Sequence, residues 1–158
     1  MAGLFTALGK RTLVRRRGRG GKQFRAIIVG KIAPAKYPNF KLEEHHTGRV
    51  VDIVHERGRD APLAKIQFDT GKYSLVPAPE GTMVGSTIEV GTTTAARAGN
   101  ILALESVPDG TVVCNIENNT GDGGKLIKAA GSSAVVFAHS PEGVTIRFPS
   151  GKFLTLNQ

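Results

Sequence analysis

A chain of 158 residues with 40% hydrophobic content can hold one ordinary domain or two small barrels. No apolar run approaches the roughly eighteen residues of a membrane span. MAGLFTALGKR at the N-terminus is too short and too weakly apolar for a secretory signal. The formal net charge of +8 is unevenly held: residues 1–42 carry eleven Lys and Arg and no acid, while residues 43–158 carry ten basic and thirteen acidic side chains.

The charge is densest in RTLVRRRGRGGKQFR at 11–25, where seven of fifteen residues are Arg or Lys. A one-signed block of this kind repels itself and stays extended until it meets a polyanion. Phosphate is the fitting counter-ion, because neutralising it releases condensed cations. Arginine predominates, and its planar fork suits phosphates and base edges better than an ammonium does. Gly18, Gly20 and Gly21 let the backbone come close to a phosphate. Nuclear targeting and anionic-lipid binding are the competing uses of such a block. The absence of an amphipathic stripe weighs against the lipid surface. An extended basic arm over 1–42 is therefore expected to bind RNA through Lys10, Arg11, Arg15, Arg16, Arg17, Arg19, Lys22 and Arg25.

Beyond a turn-rich hinge at 37–40 (YPNF), short apolar stretches alternate with turn signals. The pattern predicts strands at 47–56, 62–68, 72–77, 86–91 and 100–106, broken by RGRDA, DTG, PAPEGTMVG and TTTAARAG. Five short strands over about sixty residues suggest an OB-like barrel, placed at 43–106. A second series at 111–117, 133–139, 143–148 and 152–156 suggests an SH3-like barrel over 107–158. Its expected core is Val112, Val113, Ile116, Val135, Val136, Phe137, Val144, Ile146, Phe148, Phe153 and Leu154. The lone Cys114, in TVVCNI, reads as a buried, reduced thiol of an intracellular protein.

The first two strands of the second series are separated by a long Gly- and Ser-rich loop, ENNTGDGGKLIKAAGSS. Its glycines at 121, 123, 124 and 131, with Lys125, Lys128, Ser132 and Ser133, can present amides and hydroxyls to phosphate or ribose. A plain connector is the alternative. Catalytic patterns are poor. Adjacent His45 and His46 point to opposite faces of an extended segment, and no paired cysteines or HExxH occur. TGDGGKL lacks the Ser or Thr that a P-loop needs for magnesium. NNT at 118–120 fits a glycosylation sequon without a signal peptide to bring it into use. No metal, cofactor or small-molecule substrate is expected, and enzyme is the weak hypothesis.

The segments GRVVDIVHERGRDAPLAKIQF (48–68), AGN (98–100), PDGTVVCN (108–115) and GDGGK (121–125) resemble the universal large-subunit ribosomal protein two family. They are most similar to its archaeal and eukaryotic branch, and RRRGRGGKQFR fits that branch's N-terminal pattern. The resemblance runs from Gly9 to about Leu156. It implies an OB-like barrel followed by an SH3-like barrel, with the arm threaded into 23S-type rRNA. It further implies contacts to neighbouring ribosomal proteins, a cytoplasmic large ribosomal subunit (or an organelle one), and support of assembly and of the peptidyl transferase region. RNA contacts carried over on the loop fall on Gly123, Gly124, Lys125, Lys128, Gly131, Ser132 and Ser133. Two other functions compete: a free-standing RNA-binding or RNA-chaperone protein, and a small His-dependent hydrolase. Family members continue past PSG (149–151), so the second barrel is expected to be incomplete and less stable than the first.

Overall fold

The computed structural model describes residues 28–38, 40, 44–92 and 94–157. The architecture is all-β, with an OB-like barrel followed by an SH3-like one, each built on a four-stranded antiparallel sheet. In the first sheet β1 (His46–Val54), β2 (Leu63–Phe68), β3 (Tyr73–Pro77) and β4 (Thr87–Val90) lie in the order β3-β2-β1-β4. In the second, β5 (Val112–Val113), β6 (Ala134–Ser140), β7 (Gly143–Arg147) and β8 (Phe153–Leu156) follow one another as a meander.

Period-two burial explains the first sheet. Ala64, Ile66 and Phe68 turn inward from β2 while Lys65 and Gln67 face water, and Leu63 at the start of the strand is buried outside this cluster. Gly48 sits over them, and a Cβ there would lie 2.6 Å from Ile66 and 2.8 Å from Phe68. Val50, Val76, Ile88 and Val90 complete one continuous core, onto which Tyr37 and Phe40 also pack. The second half buries two smaller groups instead. Ile116, Ala134, Ile146 and Leu156 form one, and Val107, Val136 and Val144 the other.

Both sheets carry one β-bulge, between Val50 and Asp52 in β1 and between Val136 and Ala138 in β6. They also share a hairpin. IQFDTGKY at 66–73 and IRFPSGKF at 146–153 close alike: the Phe68 N–H donates to Lys72 O at 3.0 Å and the Phe148 N–H to Lys152 O at 2.9 Å. Gly71 and Gly151, at φ 75° and 79°, take the left-handed position that each turn requires.

Several expectations need correction. Residues 100–106 do not form a strand. Ile101 makes one parallel bridge to Val90, and Leu104–Ser106 is a 3-10 turn closed by the Ser106 hydroxyl on Ala103 O at 2.8 Å. The apolar Leu102 and Leu104 of this stretch pack against the second half's core rather than into the first sheet. The strand expected at 111–117 shrinks to Val112–Val113, because Asn115 turns the chain at φ 51° and Ile116 is left with a bridge to Leu126. That turn leaves Cys114 exposed rather than buried, although nearby chain still displaces enough water to push its thiol upward in pKa. Val112, Phe137 and Phe153 are also exposed, not core. With Ala134 and Val136 facing inward, the alternation sends Phe137 to the other face. With four strands in each sheet, strand count does not mark the second half as the less complete one.

Candidate nucleic-acid interface

Lys10, Arg11, Arg15, Arg16, Arg17, Arg19, Lys22 and Arg25 lie outside the described residues. The structure instead shows how the stretch that follows them is fastened. Pro-Ala-Lys-Tyr at 34–37 runs as an irregular strap without strand pairing, so its backbone groups must find partners elsewhere. The Lys36 N–H donates to Leu75 O at 3.1 Å, the Ser74 hydroxyl donates to Lys36 O at 2.8 Å, and the Tyr37 N–H donates to Gly123 O at 3.1 Å. One edge of this strap therefore follows β3, and the other meets the long loop. Burial pushes the Tyr37 hydroxyl well above its ordinary range, beside Cys114, Asn115 and Glu117.

A third fastening lies upstream. Glu56, whose side chain is 1% exposed, accepts from the Ile32 N–H at 3.1 Å and from Arg59 Nε at 2.7 Å. The Arg59 hydrogen bond, with help from the Ile32 N–H, outweighs burial and holds this carboxyl below its ordinary value.

The loop itself is folded around its own carboxylates. Glu117 accepts from the Gly121 N–H at 3.0 Å and the Gly123 N–H at 2.8 Å. Asp122 accepts from Asn118, Asn119 and Gly124 N–H groups at 3.2–3.3 Å. Gly123 and Gly124 are buried, at φ 84° and 83°. A Cβ on Gly123 would lie 2.7 Å from Lys36, and one on Gly124 would collide with the Asn115 side-chain oxygen. Both glycines thus admit the strap and the loop's own fold.

Lys128 is half-buried, donating to Ala35 O at 2.7 Å and Gly124 O at 2.9 Å, so it clips the strap to the loop. Burial, then the nearby Arg59 and Lys36 charges, lower its pKa. These three cations come together from the strap, the β1–β2 connection and the loop. Lys125 is exposed, with an ion pair to Asp122 at 3.3 Å. Gly131 and Ser133 are exposed, and the Ser132 hydroxyl donates to Ala129 O at 2.6 Å. Lys36 and Arg59 had not been singled out in the sequence. Arg57 and Arg59 in ERGRD were visible as charge inside what reads as a turn.

The histidines are dispersed. His46 lies 3.2 Å from both Glu44 and Asp69, and His139 lies 2.6 Å from Asp109; His45 and His55 are exposed. Among the described residues no group of three or more His, Cys, Asp or Glu is placed to hold a metal ion.

Comparison with known proteins matches both halves. The family model described as Ribosomal Proteins L2, RNA binding N-terminal domain, covers residues 9–90, and that for the Ribosomal Proteins L2 C-terminal domain covers residues 97–158. The large ribosomal subunit protein uL2 of Nitrosopumilus maritimus is 54% identical over 151 residues, covering 95% of this chain and 62% of the relative. That of Cenarchaeum symbiosum is 57% identical over 150 residues, covering 95% and 62%, and that of Korarchaeum cryptofilum is 42% identical over 145, covering 92% and 59%. The chain thus spans about three fifths of the length of the curated relatives it matches. Matched in order by both domains of one family, the first covering more than half its length, the chain belongs to the ribosomal protein L2 family.

Proposed function

We propose that this chain is a non-catalytic structural constituent of the large ribosomal subunit, in the cytoplasm, that binds 23S-type rRNA. In this reading the barrels position and the arm binds. The observation that carries it is the acid-free block of eleven cations over residues 1–42, within the stretch matched by the RNA-binding domain model. Ile32, Ala35 and Lys36 of that block are tied to Glu56, the long loop and β3, so the charged arm leads from a fixed point. Arm contacts would fall on Lys10, Arg11, Arg15, Arg16, Arg17, Arg19, Lys22 and Arg25, with electrostatics supplying most of the affinity.

On the loop, Lys125, Ser132 and Ser133 would meet phosphate or ribose directly, together with Gly131. Gly123, Gly124 and Lys128 would serve by holding the loop and strap in register. Neighbouring ribosomal proteins are the second class of partner, and support of subunit assembly and of the peptidyl transferase region follows from this placement. Co-sedimentation tests the reading. The chain should stay with purified large subunits through a high-salt wash, as an integrated component does. Release at high salt, with binding only at low salt, would instead favour a free-standing RNA-binding or chaperone role.

A further inference from the structure

The outer face of the second sheet is built from side chains that a solvated sheet does not need. Register places Val112 opposite Val135, Val135 opposite Arg147 and Arg147 opposite Phe153, one row across all four strands. The β6 bulge leaves Phe137 as the unpaired extra residue, and its ring meets that of Phe153 at 5.0 Å, edge to face. Both rings are more than half exposed, at 54% and 55%, and Val112 is 65% exposed. The Thr145 and Thr155 hydroxyls lie 3.1 Å apart on the neighbouring pair.

The charge in this row is positive: Arg147 lies between Val135 and Phe153, while exposed Lys152 sits in the turn before Phe153. Glu142 sits in the turn at the far end of the β6–β7 hairpin, and Asp109 is paired with His139. A shallow cleft of about 280 Å³ opens beside Arg147 and Val135 and reaches Ser133, the last residue of the long loop. The related hairpin in the first sheet carries Tyr73 where this one has Phe153, but Lys65 already stands over the Tyr73 ring, 5.1 Å from its centroid. The second hairpin instead offers a ring pair open to solvent.

We infer that this face is a stacking platform for unpaired RNA bases, with Phe137 and Phe153 as the rings, Arg147 holding phosphate, and the threonines beside them. It rests on the RNA-binding reading above but adds a site built from residues outside the arm. Four-stranded sheets with exposed rings bind single strands in this manner, since every base has a π-face and the rings need no sequence match. Positive charge beside the rings favours nucleic acid over an apolar protein surface, which gains nothing from a buried cation.

The test uses the full chain with fluorescent ten-nucleotide oligoadenylate and oligouridylate, titrated across a salt series. Phe137→Leu with Phe153→Leu keeps apolar area and removes the rings. It should weaken binding of both oligonucleotides by roughly 5- to 100-fold and leave the salt slope unchanged. The paired Tyr substitutions keep the rings and should bind as the parent does, with thermal melting to check the fold of each variant. Parent-like affinity in the Leu pair, with arm removal still shallowing the slope, would overturn the platform and leave the RNA reading standing. Equal losses in the Leu and Tyr pairs would overturn it as well. So would a sedimentation result in which the parent dimerises and the Leu pair does not, with RNA affinity unmoved. Failure of the parent to bind either oligonucleotide at any salt would remove both the platform and the RNA reading beneath it.

Discussion

The two sheets use the same parts to different ends. Each has four antiparallel strands, one bulge and the same IxFxxGK hairpin, yet the first closes β4 onto β1 and the second runs as a simple meander. The first gathers most of its buried residues into one cluster that also takes Tyr37 from the strap and Phe40 beyond it. The second divides its core and seals it with irregular chain: Leu126 and Ile127 from the loop, Leu102 and Leu104 from the connection between the halves. Regular strands supply most of the first core, whereas the second takes part of its core from the loop and from the connection between the halves.

Glycine substitutions give the largest expected effects and strain the two halves differently. At Gly143 (φ 142°) a Cβ would strike the Leu156 backbone carbonyl, which cannot swing aside. At Gly48 it would meet the side chains of Ile66 and Phe68, which can shift. Gly143→Ala should cost about 3 kcal/mol or more and Gly48→Ala nearer to about 2 kcal/mol, read by urea unfolding. The reverse order would mean that the first core is the less yielding one.

Glu56→Gln acts on the anchor of the first half. It removes a buried charge from Arg59 and should cost about 2 kcal/mol. Because the folded carboxyl titrates below its ordinary 4.5, its contribution is complete above that pH and is lost as pH falls through the lower folded value. The acid limb of the parent's stability curve should therefore flatten in the variant.

Lys128→Met keeps most of the apolar stem and loses both donated bonds to Ala35 and Gly124. About 1 kcal/mol should be lost. Amide exchange should rise at Lys36 and Tyr37, with β1 and β2 unmoved. Uniform acceleration across both sheets would show that the strap is not a separate unit.

The smallest effect belongs to the second half and has the opposite pH sign. The hydrogen bond to Asp109 raises the His139 pKa above 6.5. Its stabilisation is present below 6.5 and fades as pH rises through the raised folded value. Asp109→Asn should shrink this pH dependence, with the Leu104 carbonyl contact retained, while leaving Glu56's share of the acid limb untouched.

Much of this fold was legible in the sequence because alternation and turn residues agree. The strands β2, β3, β6, β7 and β8 fall within a residue or two of their expected positions, each bounded by Gly, Pro or Asp. Apart from the turn at Asn115, the failures share one cause: apolar residues that serve more than one surface. AVVF is apolar at every position, so its pattern could not say that Val136 faces in and Phe137 out. Leu102 and Leu104 had strand-like spacing, but their partners lie in the other half. The loop's glycines were visible as glycines. That their amides belong to Glu117 and Asp122 depended on folding the loop back on itself, which no local pattern encodes. The repeated hairpin was readable all along, as two copies of IxFxxGK with an aromatic residue behind each.

The account stands or falls on the arm as the electrostatic contact to RNA. The direct measurement is the salt dependence of affinity for large-subunit rRNA, for the full chain and for one lacking residues 1–25. If that deletion removes about five phosphate contacts, the slope of log affinity against log salt should become shallower by about 3.5 to 4.5 units. An unchanged slope would contradict the account, because the densest charge in the chain would then not be what meets RNA.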